Sequence, residues 1–421
     1  MKVTIAPSLG KGHVHIPPSK SMAHRAIICA SLAKGRSVIS NVAYSKDIRA
    51  TIEGMKQLGA HIEIAEDTVT IDGIANFQGL KDKEIFCNES GSTLRFFIPI
   101  FSLCEKPITF TGSGRLLQRP QKVYEDIFHE NGLAFQQDAH GIHIQEALPY
   151  GEYQIKGDVS SQFISGLLFT LPLLEKDSTI HILPPFESRS YVELTLQMLE
   201  HFGVHAYFKD EMTLAIPGGQ TYQANNYEIE GDYSQLAFFA VYAAIHGKIT
   251  VTGVSHASRQ GDKAILEILK SFGACIEEVP HGYTFYKSEL KGTSIDLANC
   301  PDLGPILCVL GMYSLGNTHI YNAGRLRIKE SDRIAAMEEE LRKFGVTITS
   351  TEDEIFIQGG QDYTCKQTLH GHNDHRIVMA LSVATACSNS CTTIEDAQAI
   401  TKSYPTFFDD FAKVQGKVES L

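Results

Sequence analysis

Hydrophobic and polar positions alternate along this chain in two interleaved rhythms, each with a period near 70 residues. In the first rhythm an amphipathic run ends at a glycine. Ile48, Ile52, Met55 and Leu58 precede Gly59, and Ile334, Met337, Leu341 and Phe344 precede Gly345, with the three-and-four spacing of a helix. Gly59, Gly132, Gly203, Gly273 and Gly345 stand 73, 71, 70 and 72 residues apart. Glycine there predicts a helix end, because it enters the left-handed conformation without a Cβ clash. After each glycine come two short alternating segments, such as His61–Ile64 then Thr68–Ile71, which predict a hairpin with one buried face.

The second rhythm consists of apolar helices rich in small residues, beginning near Ser21, Thr93, Ser160, Tyr233, Asp302 and His375. Most lead into a short strand: Arg36–Ser40, Pro107–Thr111, Thr179–Leu183, Lys248–Thr252, Asn317–Tyr321 and Thr392–Glu395. Together the rhythms give helix, strand, helix, strand, strand, six times over in 421 residues. After Lys402 the sixth copy lacks room for its hairpin, so the segment Val3–Ile16 is expected to complete it. A regular period admits an open solenoid, but neither end reads as a polar capping repeat. The expected fold class is α/β (α+β) in two domains of three units each. One domain comprises 1–19 and 232–421, the other 20–231, with crossovers near 17–20 and 230–232.

Composition narrows the function. The chain has 37 Lys+Arg against 49 Asp+Glu, a formal charge of −12, which argues against a general nucleic-acid or anionic-membrane binder. Its nine cysteines are scattered, mostly in apolar runs, and are expected to be reduced core residues of a cytoplasmic protein. Neither a signal segment nor a membrane span is legible. Metal spacing is also missing, since Cys387 and Cys391 have no second ligand pair, and the expected metal is none.

The conspicuous polar residues cluster at helix starts. Ser19-Lys20-Ser21 with Arg25, Glu89 to Arg95, Ser160-Ser161-Gln162, Asp232, Asp302 and His375-Arg376 open the small-residue helices. Arg119-Pro120, Ser188, Lys329 to Arg333 and Lys402 are read as opening the amphipathic ones. Helix N-termini carry unpaired N–H donors and partial positive charge, so they attract anions. Any one serine could be a plain N-cap. Many cations at equivalent positions of an acidic chain instead predict a concentrated positive cleft for small, multiply charged anions. Neither the P-loop G-x-x-x-x-G-K-[ST] pattern nor a G-x-G-x-x-G between strand and helix occurs.

Pro17-Pro18-Ser19-Lys20-Ser21 with Arg25, Gly91 to Arg95, Arg119-Pro120, Asp158 to Gln162, Pro301-Asp302, Lys329 to Arg333, Asn373 to Arg376 and Lys402 to Pro405 resemble, in order, the motifs of the EPSP synthase family. The resemblance spans nearly the whole chain. It implies an inside-out α/β barrel in each of two domains, built from βαβαββ units that close on substrates. The implied reaction moves the enolpyruvyl group of phosphoenolpyruvate to the 5-hydroxyl of shikimate 3-phosphate. By that resemblance Asp302 is the base, Glu330 the proton donor, and Lys20 and His375 act beside them. Shikimate 3-phosphate is assigned Lys20, Ser21, Arg25, Ser160, Ser161, Gln162, Ser188, Tyr191, Asp302 and Lys329. Phosphoenolpyruvate is assigned Lys20, Gly91, Arg119, Gln162, Arg333, Arg376 and Lys402. The expected partners are these two small molecules, with no cofactor, nucleic acid or membrane, and the expected state is a monomer. Glu330, between Lys329 and Arg333, is expected to feel their charge. Two departures stand out: Glu89-Ser90-Gly91 where relatives often have Asn-Ala-Gly, and Arg325 where many have Asn. The related transferase acting on UDP-N-acetylglucosamine usually carries a loop cysteine before Arg-Pro, and Gly112 to Pro120 has none.

Overall fold

Helices that are apolar on every side must be surrounded by protein, and this determines the layout. The computed structural model describes residues 1–360 and 362–420. The chain divides into two compact units, Met1–Pro17 with Glu230–Leu421, and Pro18–Ile229. In the second, the helices Lys20–Leu32, Gly91–Ser102 and Ser161–Thr170 are buried along nearly their whole length. Three helices with an exposed face accompany them: Lys46–Leu58, Lys122–Glu130 and Arg189–His201. The first unit repeats the scheme with buried Tyr233–His246, Gly304–Met312 and His375–Ala386.

Each unit carries three four-stranded sheets of one design. An outer strand runs parallel to the strand that follows a buried helix, and an antiparallel hairpin completes the sheet. Glu84–Phe86, Ile108–Thr111, Ile142–Ile144 and Phe135–Gln137 form one such set. Inward residues alternate along the strands, as in the buried Ile108 and Phe110. The five periodic glycines have φ of 117°, 72°, 75°, 93° and 87°, the left-handed region their position requires.

The N-terminal segment does not behave as one piece. Val3–Ala6 joins the sixth sheet, between Thr392–Glu395 and Lys417–Ser420. Gly10–His15 instead runs parallel to Gly247–Thr252 in the sheet of the fourth copy. The physical reason is that Lys417–Ser420 supplies one strand of the sixth hairpin, so only one more is needed. Tyr227–Glu228 plays the reciprocal part, pairing with Arg36–Ser40 in the first copy. The leading strands of the first and fourth copies are therefore exchanged.

The cysteine expectation needs correcting as well. All nine are free thiols, but Cys275 and Cys391 are exposed and Cys387 is half-buried. Cys275 opens an edge strand whose outward positions face solvent. Among the described residues, no helix is long and apolar enough to cross a membrane.

Candidate active site

Because the central helices are buried, the polar groups at their N-termini must find partners nearby. In the unit Pro18–Ile229, Ser19 caps the helix Lys20–Leu32, and the Lys20 ammonium meets the Asp47 carboxylate at 2.8 Å. Arg25, one turn on, is buried and donates to Ser21 O, Tyr191 O and Thr195 Oγ1 at 2.8–2.9 Å. Burial pulls its guanidinium down to about 10. Ser188 has φ 54° and makes no side-chain cap bond to its helix. Its carbonyl accepts from Tyr191 N at 3.1 Å, tying these two residues to Arg25.

A second group of the same unit centres on Arg95. It donates to Gln162 Oε1 and Pro120 O, each at 2.9 Å, over the Phe163 ring at 4.6 Å. Gln162 also donates to Ser92 Oγ at 2.8 Å, and its N–H reaches the Ser160 cap. Burial, and then the nearby charge of Arg119, hold Arg95 well below the usual arginine value. Two guanidinium groups this close favour an anion beside them. Gly91 faces Arg119 so tightly that an added Cβ would lie 2.3 Å from Nη1. The Glu89 carboxylate lies against Gly114.

The unit containing residues 230–420 holds the two candidate acid–base groups. Asp302 is gripped by three cations: Arg376 Nη2 at 2.9 Å, Arg333 Nη1 at 3.2 Å and Lys329 Nζ at 3.8 Å. Glu330 Oε2 meets His375 Nδ1 at 3.1 Å and Lys402 Nζ at 3.7 Å. Beneath both lies Asp374, with no exposed side-chain surface. It caps the helix His375–Ala386 through Arg376 N at 2.9 Å and accepts from Arg333 Nε at 2.8 Å and Ser331 Oγ at 3.1 Å. Burial, the largest single influence, and then Glu330 resist its ionisation, yet the charge and hydrogen bond of Arg333 together with the charge of His375 hold it below the ordinary carboxylate value. Arg333 is correspondingly raised: burial opposes its charge, and Asp374 and Asp302 more than compensate.

Lys329 reaches Asp302, Arg333 reaches Asp302 and Asp374, and Glu330 reaches His375 and Lys402 while its charge also acts on Arg333. Two local readings change. Lys402 does not open a helix. It ends the short 3-10 segment Ala397–Lys402, and its ammonium donates to Asn373 O at 2.5 Å. Arg119 likewise ends the short turn Leu116–Gln118 and stands before the helix Lys122–Glu130. Arg325 is buried and donates to Ala298 O at 2.5 Å.

Three groups were not singled out from sequence. Asp47 is a first-turn acid like many others, 27 residues from Lys20. Asp374 reads as an ordinary cap, and Thr195 carries no polar motif. Glu330, Asp374 and His375 could geometrically surround a metal ion, as could Glu339, Glu340 and His372. Arg333 and Lys402 already balance the first set, and Lys343 the buried Glu340 at 2.8 Å.

Comparison with known proteins agrees in extent and kind. The family model described as EPSP synthase (3-phosphoshikimate 1-carboxyvinyltransferase) matches residues 6–411. A 3-phosphoshikimate 1-carboxyvinyltransferase of Clostridium perfringens is 45% identical over 418 residues, covering 99% of this chain and 98% of the relative. One from Clostridioides difficile is 42% identical over 426 residues, covering 99% and 98%. A solved EPSP synthase structure from Acinetobacter baumannii superposes with a TM-score of 0.81 at 25% identity, covering both chains fully.

Proposed function

Because the chain belongs to the EPSP synthase family, we propose that Asp302 and Glu330 divide the proton transfers of its reaction. That reaction moves the enolpyruvyl group of phosphoenolpyruvate to the 5-hydroxyl of shikimate 3-phosphate and releases phosphate, a step of the shikimate pathway. Glu330, as the acid, gives its proton to the methylene carbon of phosphoenolpyruvate. The electron pair of the double bond forms the new C–H bond, and positive charge develops at the neighbouring carbon. The 5-hydroxyl oxygen bonds to that carbon while Asp302 takes its proton. The C–O bond to phosphate then breaks, the electron pair leaves with phosphate, and the Glu330 carboxylate removes a proton from the new methyl group, restoring the vinyl group. Lys402, 3.7 Å from Glu330, stabilises the carboxylate left after donation, and His375 fixes its orientation.

The observation that carries this reading is the unequal environment of two neighbouring carboxylates, one under three cations and the other under a lysine and an imidazole. For Asp302 to accept a proton, its cations must shift toward the substrates. Arg333, Arg376 and Lys402 then hold phosphoenolpyruvate together with Lys20, Gly91, Arg119 and Gln162. Shikimate 3-phosphate is held by Lys20, Ser21, Arg25, Ser160, Ser161, Gln162, Ser188, Tyr191 and Lys329. The free thiols and the charge of −12 support a single chain acting in the reducing cytoplasm, apart from nucleic acid. Purified protein should release phosphate from phosphoenolpyruvate only when shikimate 3-phosphate is added. Release with UDP-N-acetylglucosamine instead would refute the assignment, and binding of both substrates without turnover would refute the acid–base roles.

A further inference from the structure

Beneath the helix starts of the unit Pro18–Ile229 runs a chain of buried hydroxyls that the reaction itself does not use. His24 Nδ1 lies 2.7 Å from Thr51 Oγ1, which lies 2.8 Å from Thr93 Oγ1. Thr93 donates to Ser90 Oγ at 2.7 Å, and Thr93 Oγ1 is also 3.5 Å from Asp47 O. All four side chains are buried, none more than 1% exposed. Each comes from an element that presents a site residue. His24 is one turn from Lys20, Thr51 is one turn from Asp47, and Ser90 caps the helix that opens with Gly91.

The bonds have a direction. Burial, then the charges of Lys20 and Arg25, hold His24 well below the ordinary histidine value, so its ring is neutral and donates from one nitrogen. Nε2 has no hydrogen-bond partner among the described residues, which assigns the proton to Nδ1. Thr51 therefore accepts from His24 and donates to Thr93, and Thr93 donates to Ser90. Ser90 also accepts from Thr93 N at 3.1 Å, so the end of the chain is pinned twice. Thr51 and Thr93 each donate once along the chain, Ser90 accepts twice, and Thr51 cannot turn without leaving a buried partner unmet.

We propose that Thr51 and Thr93 are positioning residues, acting through the hydroxyl chain to fix the Lys20–Asp47 pair relative to the Ser90–Gly91 turn. They touch no substrate. Their effect is on registration: three helix N-termini are locked to one another by bonds of 2.7–2.8 Å, and a shift of one displaces the groups that grip phosphoenolpyruvate. The inference rests on the reaction assigned above, and the test separates the two.

Thr51→Val keeps the shape and removes the hydroxyl, and Thr51→Ser keeps the hydroxyl. Thr170→Val is a stability control: Thr170 is also buried and, among the described residues, its hydroxyl bonds to Gly166 O alone, at 3.1 Å, at the far end of its helix. With all four proteins assayed well below their melting points, Thr51→Val should lose roughly tenfold or more in kcat/KM for phosphoenolpyruvate. Thr51→Ser should remain within about threefold of the parent, and Thr170→Val should lose stability but keep kcat/KM. Should Thr51→Val fail to fold, Thr93→Val with Thr93→Ser gives the same comparison. Unchanged kcat/KM in the valine variant, or equal losses in it and Thr170→Val, would overturn the proposal. A parent enzyme without turnover would instead refute the reaction.

Discussion

Replacing Asp374 by asparagine removes one buried charge and little else, since asparagine is as good an N-cap as aspartate. The native carboxylate, with no exposed surface, accepts from Arg333 Nε at 2.8 Å, Arg333 Nη2 at 3.3 Å, Ser331 Oγ at 3.1 Å and Arg376 N at 2.9 Å. Asparagine can keep the bond to Arg376 N but cannot neutralise Arg333, whose side chain is 3% exposed. A buried ion pair broken on one side costs about 3–5 kcal/mol, because the remaining charge is desolvated and unpaired. Arg333 keeps Asp302 at 3.2 Å, so the expected loss of unfolding free energy for Asp374→Asn is at the low end of that range, about 3 kcal/mol. With no tryptophan in the chain, far-UV circular dichroism in urea is the assay. Combining the variant with Arg333→Met should recover part of the loss, because the buried guanidinium that Asp302 alone compensates only in part is then gone. The pair also has a pH signature. Asp374 is depressed below its unfolded value, so its contribution is present above about pH 4 and disappears as pH falls through the folded value. A loss under about 1 kcal/mol, with no recovery in the double variant, would refute the reasoning.

Local periodicity made much of the fold legible. Five glycines marked helix ends because only a left-handed residue closes such helices cheaply, and all five have positive φ. The exchange of Gly10–His15 and Tyr227–Glu228 was not legible, because parallel pairing across more than 180 residues leaves no local pattern. In the candidate site, residue types were legible and partners were not. Lys329-Glu330-Ser331-Asp332-Arg333 reads as a local cluster, yet its side chains diverge to Asp302, His375 and Asp374. The Asp47 partner of Lys20 and the hydroxyls of Thr51 and Thr93 lie on helices whose contacts are set by tertiary packing.

Other outcomes follow from the same geometry. Lys20→Ala should reduce kcat/KM by several powers of ten, on the order of 3–5 kcal/mol in the transition state, in a coupled phosphate assay; a loss under tenfold would remove it from the site. Gly91→Ala places a methyl where Arg119 Nη1 stands at 2.3 Å, so KM for phosphoenolpyruvate should rise more than KM for shikimate 3-phosphate. Equal changes would mean that Arg119 does not grip phosphoenolpyruvate. His372 is raised by its bond to Glu340, aided by Glu339 and opposed by burial and Lys343. Its contribution is full below about pH 6.5 and lost as pH rises through the folded value, so His372→Gln should flatten the stability profile from there upward. A parallel profile would contradict the pairing.

The proton path at the methylene carbon can be followed by its isotope. When turnover runs in D2O, the vinyl group of the product should carry deuterium, because Glu330 delivers a solvent-derived deuteron that the later elimination only partly removes. Glu330→Gln should bind both substrates yet form almost no labelled product. Product made in D2O with an unlabelled vinyl group, or a Glu330→Gln enzyme that turns over normally, would contradict the acid–base account.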